Sequence, residues 1–135
     1  MILCSHCTKC KTNYAIKRES NTECLPKTSL TNDKHFYTND TGITYYSCSL
    51  YNTISKCNEC SSGNTCDKCQ TNYAFKRENN YECVLKTSIE NDEHFYTNDS
   101  GITYYSCSLY NTILNCDECS NGNTCHKCIE GYVLK

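Results

Sequence analysis

Apolar core formers are scarce in this chain: Leu, Ile, Val and Phe together supply 21 of its 135 residues, and tryptophan is absent. That is too few to fill the interior of an ordinary globular domain of this length. Such a composition points to disorder when net charge is high, but here it is only −2, so burial must be replaced by something else. No run of like charges exists to hold nucleic acid or an anionic bilayer. No apolar stretch is long enough to span a membrane. No signal peptide is visible, since Met1, Ile2 and Leu3 run directly into Cys4. If the chain is exported, signal and anchor are expected in parts of a longer protein. Helical periodicity is nowhere sustained, which leaves room only for single turns around Tyr51 and Tyr110.

What the chain has in excess is cysteine, 15 of 135 residues. A composition this rich identifies a disulfide scaffold, in which cross-links constrain the unfolded state and stand in for a core. Disulfides persist in oxidising compartments, so the expected location is extracellular or the cell surface.

The cysteines recur with a period of 59 residues. Residues 7–65 align without a gap on 66–124, and 15 positions differ, leaving 44 of 59 identical. Each period holds six cysteines in two kinds of segment. One is a cluster, Cys57-x-x-Cys60 followed by Cys66-x-x-Cys69, with Gly63 and Asn64 at the centre of a turn. Its copy runs from Cys116 to Cys128. The other segment, Cys24 to Cys48, holds strand-forming Thr, Tyr, Ile and Phe on either side of Asn39-Asp40-Thr41-Gly42 and is expected to form a β-hairpin. Its copy runs from Cys83 to Cys107. The expected fold is small, disulfide-rich and mainly β, an extended ladder of hairpins and Cys-x-x-Cys clusters in tandem. The expected divisions are 1–23, a truncated cluster of a preceding repeat; 24–82, the first unit; and 83–135, the second.

Paired Cys-x-x-Cys motifs also suit zinc. A usual finger, however, places 12 to 20 residues between its pairs, and only five separate Cys60 from Cys66. Zinc would also leave Cys24, Cys48, Cys83 and Cys107 without a role, so no metal or cofactor is expected. No βαβ pattern surrounds the motifs to support redox chemistry. His35 and His94, near Asp33 and Asp92, are expected to be solvated surface residues rather than catalytic ones, because a narrow ladder lacks the bulk to enclose a pocket. Two features bear on recognition. Tyr37, Tyr45, Tyr46 and Tyr51, with their copies Tyr96, Tyr104, Tyr105 and Tyr110, either pack against disulfides or form a contact surface, the first three of each set being the foremost candidates for it. The sequons Asn39-Asp40-Thr41 and Asn98-Asp99-Ser100 lie at the hairpin tips, where glycans fit.

The runs Cys57-x-x-Cys60 to Thr65-Cys66-x-Lys68-Cys69-x-x-x-Tyr73 and Cys116-x-x-Cys119 to Thr124-Cys125-x-Lys127-Cys128-x-x-Gly131-Tyr132 resemble furin-like, growth-factor-receptor-type cysteine-rich repeats. The Asn-, Lys- and Tyr-rich composition is similar to that of amoebal surface-protein ectodomains, including lectin subunits and receptor kinases. The resemblance covers the clusters and not residues 24–56 or 83–115. It implies a non-enzymatic surface module that coats, adheres or senses, with an extracellular protein, a carbohydrate or another copy of itself as partner. A structural repeat that assembles into extracellular filaments or coat is the alternative, and a zinc-binding Cys-x-x-Cys module the second. The resemblance also implies alternate pairing within each cluster: Cys57 to Cys66, Cys60 to Cys69, Cys116 to Cys125 and Cys119 to Cys128. The rest would then join as Cys24 to Cys48, Cys83 to Cys107 and Cys4 to Cys10, leaving Cys7 unpaired.

Overall fold

The computed structural model describes residues 8–135. Strand β1 (Tyr14–Arg18) forms an antiparallel hairpin with β2 (Thr22–Pro26), setting Ile16 opposite Cys24 and Lys17 opposite Glu23. Strand β3 (Phe36–Tyr37) pairs antiparallel with β4 (Thr44–Ser47), Phe36 opposite Ser47, so the hairpin expected from the sequence is present. Its connection spans residues 38–43 rather than a four-residue turn. The two hairpins merge because β4 lies parallel to β1, Ile16 beside Thr44, and the sheet order is β2-β1-β4-β3. A parallel pair needs a long crossover. It is supplied by β2, the one-turn helix α1 (Lys27–Leu30) and β3. After β4 come the one-turn helix α2 (Cys48–Tyr51) and a small antiparallel pair, β5 (Cys57–Glu59) with β6 (Lys68–Cys69), closed at its tip by a bridge between Ser62 and Thr65.

The second unit repeats this plan. It has β7 (Tyr73–Arg77), β8 (Tyr81–Leu85), α3 (Lys86–Ile89), β9 (Phe95–Tyr96), β10 (Thr103–Ser106), α4 (Cys107–Tyr110), β11 (Cys116–Glu118) and β12 (Lys127–Cys128), with a sheet ordered β8-β7-β10-β9. Helix α3 starts after Leu85 where α1 starts after Pro26, so the proline is not what sets the turn. No helix among the described residues is long and apolar enough to cross a membrane.

The first compact unit ends at Cys69 and the second spans Gln70–Lys135. The divisions expected at 23/24 and 82/83 therefore fall inside β2 and β8. The β1–β2 hairpin and its copy β7–β8 escape a sequence reading because alternation fails in their first strands: Ala15 and Ile16 are adjacent and both buried, since β1 is an inner strand of its sheet.

Each unit buries two small clusters on opposite sides of β4 or its copy, β10. Successive side chains on a strand face opposite ways, so Tyr45 joins Ala15 and Leu30, with Leu25 and Phe36 against them. Tyr46 turns the other way, stacking on Tyr37 at 5.6 Å. In the second unit Tyr104 joins Ala74 and Ile89, and Tyr96 packs with Cys107, Cys116 and Cys119, flanked by Tyr105 and Cys125. Sulfur does here what leucine would do in a larger protein.

The disulfides are Cys10–Cys24, Cys48–Cys60, Cys57–Cys66, Cys107–Cys119 and Cys116–Cys125. Cys69 and Cys83, which stand where Cys10 and Cys24 stand one period earlier, are both disulfide-bonded. The alternation first-to-third, second-to-fourth is real, but its frame is Cys48, Cys57, Cys60, Cys66, one cysteine earlier than the furin-like pattern implies. This corrects Cys24–Cys48, Cys83–Cys107, Cys60–Cys69, Cys119–Cys128 and Cys4–Cys10. The physical reason lies in the sheet. Cys24 faces Ile16 and Ile16 faces Thr44, so Cys24 is two strand spacings, about 10 Å, from β4. Cys48 lies four residues further on, beyond the Cα separation of about 7 Å that a disulfide tolerates. Instead the carbonyls of His35 and Lys34 accept hydrogen bonds from the N–H groups of Cys48 (2.9 Å) and Cys60 (3.0 Å), which sets those two cysteines side by side. His94 and Glu93 do the same for Cys107 and Cys119. The one free thiol among the described residues is Cys128, expected in a bond and found without one; Cys4 and Cys7 lie outside the described residues.

The hairpin loops are organised by a single carboxylate. Asp40 Oδ1 accepts hydrogen bonds from the N–H groups of Ile43 (3.1 Å) and Thr44 (2.8 Å) and from the Thr38 hydroxyl (2.9 Å), while Thr38 Oγ1 accepts from the Gly42 N–H. The loop needs this support because Thr41 sits at φ +57° and Gly42 at φ +89°; only the second of these is free of a side-chain penalty. Partial burial acts to raise the Asp40 pKa, but the donors from Thr44, Thr38 and Ile43 outweigh it and hold the carboxyl below its ordinary value. Asp99 repeats the arrangement and the shift. A carboxyl depressed in the folded state contributes stability above its unfolded pKa and loses it as pH falls through the folded value. Urea midpoints should therefore fall as pH drops below about 4, and less steeply for Asp40→Asn with Asp99→Asn. An identical acid slope in that variant would contradict the loop's role.

Candidate functional site

The foremost tyrosines of the sequence reading do not form a contact surface together. Tyr37, Tyr45, Tyr96 and Tyr104 are buried, because their strands turn them into the two clusters of each unit, while Tyr46 and Tyr105 are half-buried. What reaches solvent is the residue pair after them. In α2 the buried Cys48 is tethered to Cys60, and one helical turn carries Leu50 and Tyr51 outward, 57% and 43% exposed. Leu109 and Tyr110 do the same in α4, beside exposed Ile113 and Leu114. The tyrosine rings hold this surface from beneath. The Tyr37 hydroxyl donates to the Tyr51 carbonyl at 3.3 Å, and Tyr46 meets Tyr51 edge-on at 5.4 Å. Tyr96, Tyr105 and Tyr110 reproduce the stack. The second unit adds Arg77, whose guanidinium lies 5.2 Å from the Tyr81 ring, 5.8 Å from Tyr105 and 5.6 Å from Tyr110. The signal available in the sequence was the run Cys-Ser-Leu-Tyr-Asn-Thr-Ile, repeated unchanged at 48–54 and 107–113.

On the first unit an open groove of about 400 Å³ lies along β1 and β3. Phe36 lines it, with Lys17 Nζ 5.5 Å from the ring. Lys17 also pairs with Glu23 at 3.0 Å and Glu19 at 3.1 Å, and the hydrogen bond to Glu23 is the largest of the effects that raise its pKa. The opposite side offers His35, whose Nδ1 lies 2.8 Å from Asp33 Oδ1, and the Ser47 and Ser49 hydroxyls 2.8 Å apart. These are two separate hydrogen-bonded pairs. Asn58 completes the lining. Hydroxyls, an amide, an imidazole and one aromatic ring around an open groove suit a polar ligand held by hydrogen bonds.

No family model matches the sequence, and no curated protein or solved structure is found to be similar to it. The site must therefore be read from its own chemistry. The cysteine sulfurs take no direct part in it: twelve of those described are bonded to other sulfurs, which leaves no thiolate at the paired Cys-x-x-Cys positions through Cys125 for zinc. That many disulfides place the fold in an oxidising, extracellular-type environment. The sequon asparagines Asn39 and Asn98 are both exposed on the Asp40 and Asp99 loops.

Proposed function

We propose that this chain is a non-enzymatic extracellular module of a surface adhesin, receptor ectodomain or coat protein, of the kind furin-like repeats build in protists. The observation that carries the reading is the exposed Leu-Tyr turn, Leu50–Tyr51 and Leu109–Tyr110, presented once per unit on a helix pinned by a disulfide. Exposed aromatic and aliphatic side chains on a rigid frame bind at low entropic cost. Repetition gives two attachment points on one chain, so weak contacts combine through effective concentration. An extracellular protein or carbohydrate is the expected partner.

Leu50→Ser with Leu109→Ser removes the apolar contact without touching a buried group. Binding of the oxidised protein to intact cells of its source should fall, while its thermal midpoint stays within a few degrees. Undiminished binding by a folded double variant would refute this surface as the contact. The filament alternative rests on the same exposed side chains, and light scattering separates the two: concentration-dependent growth abolished by the variant would favour self-assembly.

Glycans at Asn39 and Asn98 belong to the same reading, since both side chains project from loop tips. Protein from the native source should lose mass at both asparagines on glycosidase treatment. Peptides carrying unmodified Asn39 and Asn98 would remove this support for export.

A further inference from the structure

The two units differ most in charge around one histidine. Where the first unit has Lys34 and Asn58 near His35, the second has Glu93 and Asp117 near His94. These are two of the 15 differences between the copies, and both replace a cation or a neutral amide with a carboxylate. The outcome is that a nitrogen or oxygen of His94, Asp117 and Glu118 can be chosen so that all three lie within 4.8 Å of one another. His94 is held for this. Its Nδ1 lies 2.9 Å from Asp92 Oδ1, which also accepts the His94 backbone N–H at 3.0 Å. A carboxylate behind the imidazole fixes the ring and turns the other nitrogen outward, the arrangement that supports metal-bound histidines. That nitrogen, Nε2, lies 3.6 Å from Asp117 Oδ1.

From these groups we propose that the second unit carries a zinc site made by His94 Nε2 and the carboxylates of Asp117 and Glu118, with a fourth position open to water or to a donor from a partner. One imidazole and two carboxylates suit zinc; calcium takes oxygen ligands in larger number. Ligand bonds of about 2.0–2.2 Å require the three groups to draw closer than they stand. All three side chains are partly exposed and can rotate to do so. Zinc must also displace Lys127, whose Nζ sits 3.1 Å from Glu118 Oε1, so the site is of modest affinity and does not hold the fold together. The first unit keeps His35, Asp33 and Glu59 but has Asn58, an amide, in place of the second carboxylate. The protein thus contains its own control.

The test uses the full oxidised chain with its free thiols alkylated, so that Cys128 cannot take the metal. Zinc chloride is titrated by calorimetry and by NMR of the histidine ring protons. The expected result is one saturable site, with shifts at His94 and none at His35. Asp117→Asn should weaken zinc by more than about tenfold without altering the circular dichroism. Lys34→Glu with Asn58→Asp should raise the stoichiometry from one to two. No saturable uptake, equal uptake by Asp117→Asn, or shifts confined to other histidines would each overturn the proposal and reduce the cluster to an ion pair. Calcium chloride saturating the same groups would overturn the choice of metal. None of these outcomes bears on the Leu-Tyr surface, which is tested separately.

Discussion

Treatment with a thiol reductant should abolish the fold outright, whereas a chelator should leave it intact. In the chain-entropy picture a disulfide closing a loop of about 15 residues contributes about 3 kcal/mol, and Cys10–Cys24 closes such a loop. Cys48–Cys60 and Cys57–Cys66 interlock, as do Cys107–Cys119 and Cys116–Cys125, so their contributions overlap and do not add. Even so, one such disulfide is a large share of the total stability of a small domain, typically 5–15 kcal/mol, and each unit has more than one. The residual apolar clusters, such as Ala15, Leu30 and Tyr45, are too small to compensate. Circular dichroism with reductant and with chelator makes the comparison, and peptide mapping of the unreduced protein should recover Cys48 linked to Cys60. A spectrum unchanged by reductant, or Cys24 linked to Cys48, would contradict the structure. The zinc proposed at His94 does not alter this expectation, because it joins surface side chains of one unit.

Gly63→Ala and Gly122→Ala should each cost about 1–3 kcal/mol by overpacking, a drop of several degrees in thermal midpoint. A Cβ on Gly63 would stand 2.8 Å from the Tyr37 hydroxyl and 3.1 Å from its Cζ; on Gly122 the distances to Tyr96 are 2.9 and 3.1 Å. Neither ring can simply swing away. Tyr37 is stacked on Tyr46, Tyr96 on Tyr105, and Tyr96 also packs on the sulfurs of Cys107, Cys116 and Cys119. The glycine backbone is fixed too, since the Gly63 carbonyl accepts the Thr53 N–H and that of Gly122 accepts the Thr112 N–H, each at 2.7 Å. Adding Tyr37→Phe removes the closest atom, so Gly63→Ala with Tyr37→Phe should be more stable than the sum of the single changes indicates. Strict additivity in that cycle would show that the contact does not matter. Because the Tyr37 hydroxyl also donates to Tyr51, a shifted ring should weaken cell binding along with stability.

Much of this protein is settled by short-range pattern. The hairpin around Asn39–Gly42 and the tight turn at Gly63–Asn64 depend on residues within a few positions of one another, and the repeat and its cysteine number are read by direct alignment; the Cys57–Cys66 bond is expected from the furin-like resemblance alone. Turn chemistry and β propensity act locally, so they can be read without knowing the rest of the chain. The parallel pairing of β1 with β4 cannot be read that way, because it joins residues about 28 positions apart through a crossover that leaves no local mark. That single pairing decides the remainder. It separates Cys24 from Cys48 by the width of two strands, and so selects Cys10–Cys24 and Cys48–Cys60. It buries Tyr45 against Ala15 and leaves Leu50 and Tyr51 to face solvent. Likewise, Asp117 and Glu118 come to His94 only because the segment at 93–94 accepts hydrogen bonds from Cys107 and Cys119. Cysteine number and spacing determined that the chain would be cross-linked; which sulfurs meet, and which side chains are left outside, followed from distances across the sheet.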